Sequence, residues 1–325
     1  MVNTGIMFKR HYPPQHLPAF AKQAEASGFD EIWVVEDCFY AGGIAQAATA
    51  IAHTSHAHIG LGIMPAVARN AAFTALEIAS LASISNGRFL PGIGHGVRGW
   101  MQQINALPES QLGALAEHTS AIRAILRGER VTVTGSYVHL DDVALEYPLA
   151  VAPPVQLGVR GPKSLQVSGR VADGTILAEG CSPDYIRWAR EQINIGRNTA
   201  SRDDKHHITI YIYWSMADDD AAAIQTVKHT LADRILADKL NIYAAPMNIL
   251  ENITQLAASH DKQHIIDNIP DEWVRQLSVS GSTEDCVASI HRLADAGADS
   301  VVLVPMMDND TALNVYAPKL FSALK

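Results

Sequence analysis

Short, almost wholly apolar runs recur along the chain at Thr4–Phe8, Glu31–Val35, His58–Gly62, Phe89–Ile93, Val155–Val159, Thr175–Ala178, His207–Trp214 and Ser300–Val304. Runs such as IWVV and VVLV do not alternate with polar residues, so they predict strands buried on both faces, the pattern of a parallel sheet covered by helices. Between them lie longer stretches with helical spacing, at about 15–28, 43–55, 71–85, 114–127, 163–172, 183–199, 218–238 and 283–297. Eight strands alternating with helices predict a closed (β/α)8 barrel, because consecutive parallel strands need right-handed crossovers. A doubly wound open sheet is the alternative. No linker rich in Pro, Gly or Ser and no repeat interrupts the chain, so residues 1–325 are expected to form a single domain.

Two stretches break the rhythm. Val131–Tyr147 alternates and carries a Thr-Gly-Ser turn, predicting a β-hairpin inserted after the fourth helix. Residues 239–282 are mixed helical and polar, and are expected to form an excursion before the last helix. On the C-terminal face of a barrel such insertions wall the active site.

Composition narrows the class. The 325 residues are 48% hydrophobic and 18% charged, with a net charge of -9, which suits a large core and one barrel. No basic stripe appears, so a nucleic-acid partner is not expected. No apolar run approaches the roughly 20 residues that span a bilayer. The first residues, MVNTGIMFKR, place the apolar patch before the basic residues, the reverse of a secretory signal. Cys38, Cys181 and Cys286 are widely spaced and suggest neither a disulfide framework nor a metal pair. A cytoplasmic location is the expectation. The histidines show no metal-ligand spacing, so no metal is expected.

In a barrel the strand C-termini carry the chemistry. Here they read Glu36-Asp37-Cys38-Phe39, Gly62-Ile63-Met64-Pro65, Gly92-Ile93-Gly94-His95-Gly96, Gly158-Val159-Arg160-Gly161-Pro162-Lys163 and Ala178-Glu179-Gly180-Cys181. They are poor in catalytic groups and rich in glycine, which lets a flat ligand approach the backbone. Such a site suits a cofactor that brings its own reactivity. His95 is the best titratable candidate, because its charge changes near neutral pH. Gly161 followed by Pro162 and Lys163 heads a helix whose N-terminus favours an anion. Arg69 suits either the mouth of the site or a structural salt bridge. Arg88 precedes the fourth strand and is expected to be structural, while Trp100 is placed to wall a substrate pocket.

The segments WVVEDCFY, GLGIMPAVARN, ISNGRFLPGIGHG, VRGPKSLQVSGRVADGTIL and VSGSTEDCVASIHRLADAGADSVVLVP are spread over nearly the whole chain. In that order they resemble the luciferase-like monooxygenase superfamily, and within it the branch of coenzyme F420-dependent methylenetetrahydromethanopterin reductase. The resemblance implies a (β/α)8 barrel with F420, or alternatively FMN, lying across the strand C-termini. It implies a non-proline cis peptide at Gly62–Ile63 forming a bulge behind the ring, with Met64, Gly94 and Gly96 beside it. Asp37 matches an acidic position that helps hold the ring, and Arg160, Gly161, Pro162 and Lys163 match the loop near the cofactor's phosphate side. Glu179 and Gly180 fall on the rim.

The same resemblance shows departures. Cys38 stands where the family often has a histidine that assists proton transfer, and Val97 where some members have an acid. Asp37, Cys38 and His95 are the residues left to carry catalysis. The expected activity is hydride transfer between F420 and a small organic substrate. An FMN-dependent monooxygenase and a non-catalytic flavin-binding relative are the alternatives. Relatives commonly form homodimers, and the apolar helices at 43–55 and 71–85 could supply such a face.

Overall fold

The computed structural model describes residues 2–324. Its first half runs β1 (Asn3–Met7), α1 (Leu17–Ser27), β2 (Glu31–Val34), α2 (Gly43–Ala52), β3 (His58–Pro65), α3 (Ala71–Ile84), β4 (Phe89–Gly94), α4 (Arg98–Gln103) and α5 (Gln111–Leu126). A hairpin of β5 (Val131–Thr134) and β6 (His139–Val143) follows, then β7 (Gln156–Gly158), α6 (Pro162–Val171), β8 (Gly174–Leu177), α7 (Pro183–Thr199), β9 (His207–Met216) and α8 (Asp220–Leu236). The remainder holds α9 (Asn241–Ala244), α10 (Leu250–Ala257), α11 (Lys262–Asn268), α12 (Asp271–Leu277), β10 (Ser278–Gly281), α13 (Thr283–Asp295), β11 (Ser300–Pro305), α14 (Asn309–Thr311) and α15 (Ala317–Leu324).

Parallel pairing passes through β1, β2, β3, β4, β7, β8, β9 and β11 and returns to β1, closing an eight-stranded barrel. The open-sheet alternative is thereby excluded, and the hairpin falls where the alternating pattern places it. β10 lies outside that reading. It pairs with the far end of β9, from Ser278 opposite Tyr213 to Gly281 opposite Met216, beyond the point where β8 stops. SVSG has the composition of a turn. Inside the protein its hydroxyls are satisfied locally: Ser278 Oγ donates to the Val274 carbonyl at 2.6 Å and lies 2.8 Å from Ser280 Oγ. The rest of the 239–282 excursion forms the four short helices α9 to α12.

The core has two layers. Between barrel and helices lies the larger one, with residues such as Ile32, Ile59, Ile93, Leu157 and Leu303 facing outward from the strands. Inside the barrel sit Met7, Trp33, Ile176, Tyr211, Val302 and Val304. Trp33 fits there because Gly60 has no side chain; a β-carbon on Gly60 would sit 2.1 Å from the indole. Below Trp33, buried Glu31 accepts from Trp33 Nε1 at 2.7 Å, from Ser300 Oγ at 2.5 Å and from Asn3 Nδ2 at 3.2 Å. This network seals the N-terminal end of the barrel, so a ligand must enter from the other.

Candidate active site

At the C-terminal end of the barrel lies a cavity of about 1170 Å³, walled by residues from every barrel strand except β2 and β4 themselves and by the loops that follow those two. The register between β3 and β4 slips there. Leu61 opposes Pro91, but the next pair is Met64 with Ile93, so Gly62 and Ile63 bulge from the sheet. The Gly62–Ile63 peptide is cis, as the family resemblance implies, and a second cis peptide joins Cys38 to Phe39.

The bulge changes the meaning of the glycines. A β-carbon on Gly94 would meet Ile63 Cδ1 at 2.8 Å, and one on Gly158 would meet Ile63 Cγ2 at 2.5 Å. Those two glycines therefore make room for Ile63, and a ligand on that wall meets the Ile63 side chain rather than bare backbone. Gly62 backs onto the barrel interior: its β-carbon would overlap Tyr211 Oη.

Of the residues singled out from the sequence, Asp37, Gly62, Ile63, His95, Gly96, Arg160, Gly161 and Glu179 line the cavity. Cys38, Met64, Gly94, Pro162, Lys163 and Gly180 do not. Met64 is fully buried in the outer core layer. Pro162 and Lys163 belong to the first turn of α6, with Gly161 as its N-cap. Gly180 has a φ of 103°, and a β-carbon there would stand 3.4 Å from Leu240 and Tyr243 and 3.5 Å from Arg234, so it sits behind the wall. Cys38 is half-buried beside the mouth. Burial, followed by the charges of Glu36 and Asp37, raises its thiol pKa, so at neutral pH it is a thiol off the cavity wall and no base.

The two acids of the loop after β2 are tied. Asp37 accepts from Arg10 Nη1 at 2.8 Å, and Glu36 accepts from both arms of Arg69, at 2.7 Å and 2.5 Å, and from the Gly43 amide at 3.1 Å. Arg69 is thus a structural partner off the cavity wall. Arg88 is structural too, donating to the Ala57 carbonyl at 2.7 Å at the opposite barrel end. Trp100 does line the cavity. His95 has its Nδ1 buried without a partner, and burial lowers its pKa against the opposing effect of the Gln111 backbone. Its imidazole is therefore neutral at pH 7.

The sequence reading missed a polar wall. Lys9, Arg10 and His11 follow β1, Tyr211 and Tyr213 point inward from β9, and Arg234 enters from α8. The two tyrosines carry a signal, since they alternate in HITIYIYWSM and so share one face. Burial, then the Glu179 charge, pushes the Tyr213 hydroxyl up to about 12, and the same causes raise Tyr211. Both are neutral donors at physiological pH. Tyr211 Oη is buried without a hydrogen-bond partner.

These features define the molecule as a parallel (β/α)8 barrel with a deep ligand site at its C-terminal mouth. Residues 4–300 match the luciferase-like monooxygenase model, and the chain belongs to that family. It is 30% identical over 311 residues to a 5,10-methylenetetrahydromethanopterin reductase of Methanolobus tindarius, covering 92% of each chain. It is 24% identical over 341 residues to an F420-dependent glucose-6-phosphate dehydrogenase of Kineococcus radiotolerans, covering 97% of this chain and 94% of the other. The coenzyme F420-dependent tetrahydromethanopterin reductase of Methanopyrus kandleri superposes with a TM-score of 0.81 at 23% identity, over 100% of this chain and 99% of that one.

Proposed function

We propose that this protein is an oxidoreductase that transfers a hydride between coenzyme F420 and a small organic substrate. The observation that carries the proposal is the Gly62–Ile63 bulge, which presents Ile63 as an apolar wall braced by Gly94 and Gly158. The residues present fit a deazaflavin. The cavity exceeds the roughly 300–1,000 Å³ usual for one small ligand, leaving room for cofactor and substrate together. Tyr211 and His95 line that cavity, and each has a buried side-chain atom, Oη and Nδ1, without a partner within the protein.

When bound, F420 supplies two-electron hydride chemistry at a carbon where FMN has nitrogen. The protein supplies shape and proton handling. Ile63 buttresses the ring, and Asp37, fixed by Arg10, holds its edge. His95, neutral near pH 7, is the lining residue able to give or take the proton that accompanies hydride transfer. Gly161, as N-cap of the ten-residue α6, turns the helix N-terminus toward the phosphate, with Arg160 beside it. Trp100 closes the mouth over the substrate.

Titration of the purified protein with F420 and with FMN, followed by absorbance, tests the cofactor. Tight binding of F420 with oxygen-independent turnover is expected. Preference for FMN with oxygen consumption would move the protein to the monooxygenase reading, which the family's name keeps in view. Binding of a cofactor without turnover would make it a non-catalytic relative. Among the described residues no helix is long and apolar enough to cross a membrane. We also propose a homodimer through α3, whose Phe73, Leu76 and Ile84 are 65%, 52% and 61% exposed along one face. A monomeric mass by light scattering at micromolar concentration would refute that assembly.

A further inference from the structure

Arg234 reaches the cavity wall from the last turn of α8 without a carboxylate paired to it, the Glu179 charge acting on it only from a distance. Nη1 donates to Tyr213 Oη at 2.9 Å and Nη2 to the Lys239 carbonyl at 3.4 Å, while Nε is sealed from solvent without a partner. The guanidinium also lies 5.8 Å and 5.6 Å from the ring centroids of Tyr213 and Tyr243. Among the described residues no carboxylate stands within ion-pair distance of it; Glu179 shares the wall but lies farther away. Other cations at the cavity are accounted for. Arg10 is paired with Asp37, Lys9 donates to the Pro305 carbonyl at 2.6 Å, and Arg98 and Arg160 are exposed to water.

A guanidinium drawn out of water loses hydration that hydroxyls and ring faces only partly replace. A planar anion restores it with two parallel hydrogen bonds. Tyr213 and Tyr243 already fix the side chain's position, so little rotamer entropy remains to be lost on binding.

We propose that Arg234 is an anion-recognition residue, receiving a carboxylate or phosphate group of a ligand bound in this cavity. The assignment rests on the oxidoreductase reading only for the source of the anion, which is an acidic substrate or the phosphate-bearing tail of the cofactor. Arg234 stands beside Tyr213, one inward position along β9 from Tyr211, whose hydroxyl abuts the Gly62 bulge. It is therefore within the same chamber as the proposed ring and not on the outer surface.

Calorimetry with inorganic phosphate and with succinate, on protein alone and saturated with F420, tests the site in the wild type and in Arg234→Met and Arg234→Lys. The wild type is expected to bind at least one anion, with about ten-fold or greater weakening in Arg234→Met and a smaller loss in Arg234→Lys. If the anion belongs to the substrate, it binds alongside F420 and F420 affinity is unchanged in the variants. If it belongs to the cofactor tail, phosphate competes with F420. Arg234→Met then weakens F420 but not its tail-free riboflavin-like fragment. No anion binding by the wild type, or equal affinities for anions and for both cofactor forms in wild type and Arg234→Met, overturns the proposal. Should Arg234→Met not fold, unchanged anion affinity in both Arg234→Lys and Tyr213→Phe overturns it equally. Anion binding that depends on Arg234 supports the site even where neither F420 nor FMN binds, a result that would count against the oxidoreductase reading alone.

Discussion

Ile63 occupies the space that a side chain on Gly158 would need: a β-carbon there would stand 2.5 Å from Ile63 Cγ2. Gly158 lies on β7 and Ile63 on the β3 bulge, so β4 separates them in the sheet. The contact spans β4 because Gly94 is also without a side chain. One apolar residue thus becomes a fixed wall of the cavity, its position set by two glycines distant in sequence.

The contact makes Gly158→Ala a sharp test. The added methyl must displace Ile63 or the β7 backbone, and overpacking of this kind costs about 1–3 kcal/mol. At roughly 2–4 °C of melting temperature per kcal/mol for a chain somewhat smaller than this one, a loss of several degrees is expected. Affinity for F420 should fall as well, since the wall moves. Gly99→Ala is the control, because a β-carbon at this exposed helical position meets nothing within 4 Å and should leave stability unchanged or slightly raised. A Gly158→Ala protein with unaltered melting and cofactor affinity would remove Ile63 from the site.

His95 gives a kinetic prediction. Its pKa is lowered by burial, so the neutral form is kept from neutral pH down to below the ordinary value near 6.5. Replacement by Gln keeps the size but not the proton transfer and should lower kcat by about 10²–10⁴-fold, with F420 affinity changed far less. The acidic limb of the kcat profile should vanish in His95→Gln. Equal kcat in both proteins would leave His95 as a wall residue.

The fold was legible because burial on both faces erases strand alternation, and runs such as IWVV cannot be amphipathic helices. β10 escaped because SVSG gains its strand only by pairing with β9, a tertiary partner that no local pattern announces. At the site, the glycine segments, Asp37, His95 and Glu179 stand out by type and by position at strand ends. Arg234 does not, because a lone arginine in an amphipathic helix has the same sequence appearance whether it faces solvent or a cavity. Cys38 and Met64 show the converse limit: they lie next to wall residues in sequence, but neither reaches the wall in space.

His206 predicts an acid-labile element outside the cavity. Burial, and then the charges of Arg197, Arg202 and Arg190, pull its pKa down to about 3, while its Nε2 lies 2.8 Å from Thr175 Oγ1. The unfolded chain takes up this proton near pH 6.5 and the folded one only near 3. Folding stability is therefore intact above about 6.5 and declines as pH falls from there toward 3, at up to about 1.4 kcal/mol per pH unit. Thermal melts of wild type and His206→Gln at pH 7.5 and pH 5 should show a smaller drop in the variant. An identical drop would mean that His206 does not contribute to acid lability.

Glu36 and Arg69 join the loop after β2 to the segment after β3 through two hydrogen bonds, and Glu36 also receives the Gly43 amide at the start of α2. The side chains are 11% and 31% exposed, so the pair is neither fully hydrated nor fully buried. Glu36→Gln leaves Arg69 half-buried without its anion, and a loss of about 1–3 kcal/mol is expected, short of that for a fully buried pair. Because the same loop carries Asp37 into the cavity, F420 affinity should fall together with the melting temperature. Arg69→Met in the Glu36→Gln background should then add less than it costs alone, the signature of a direct pair. Strict additivity of the two substitutions would show that the loops are held by other contacts.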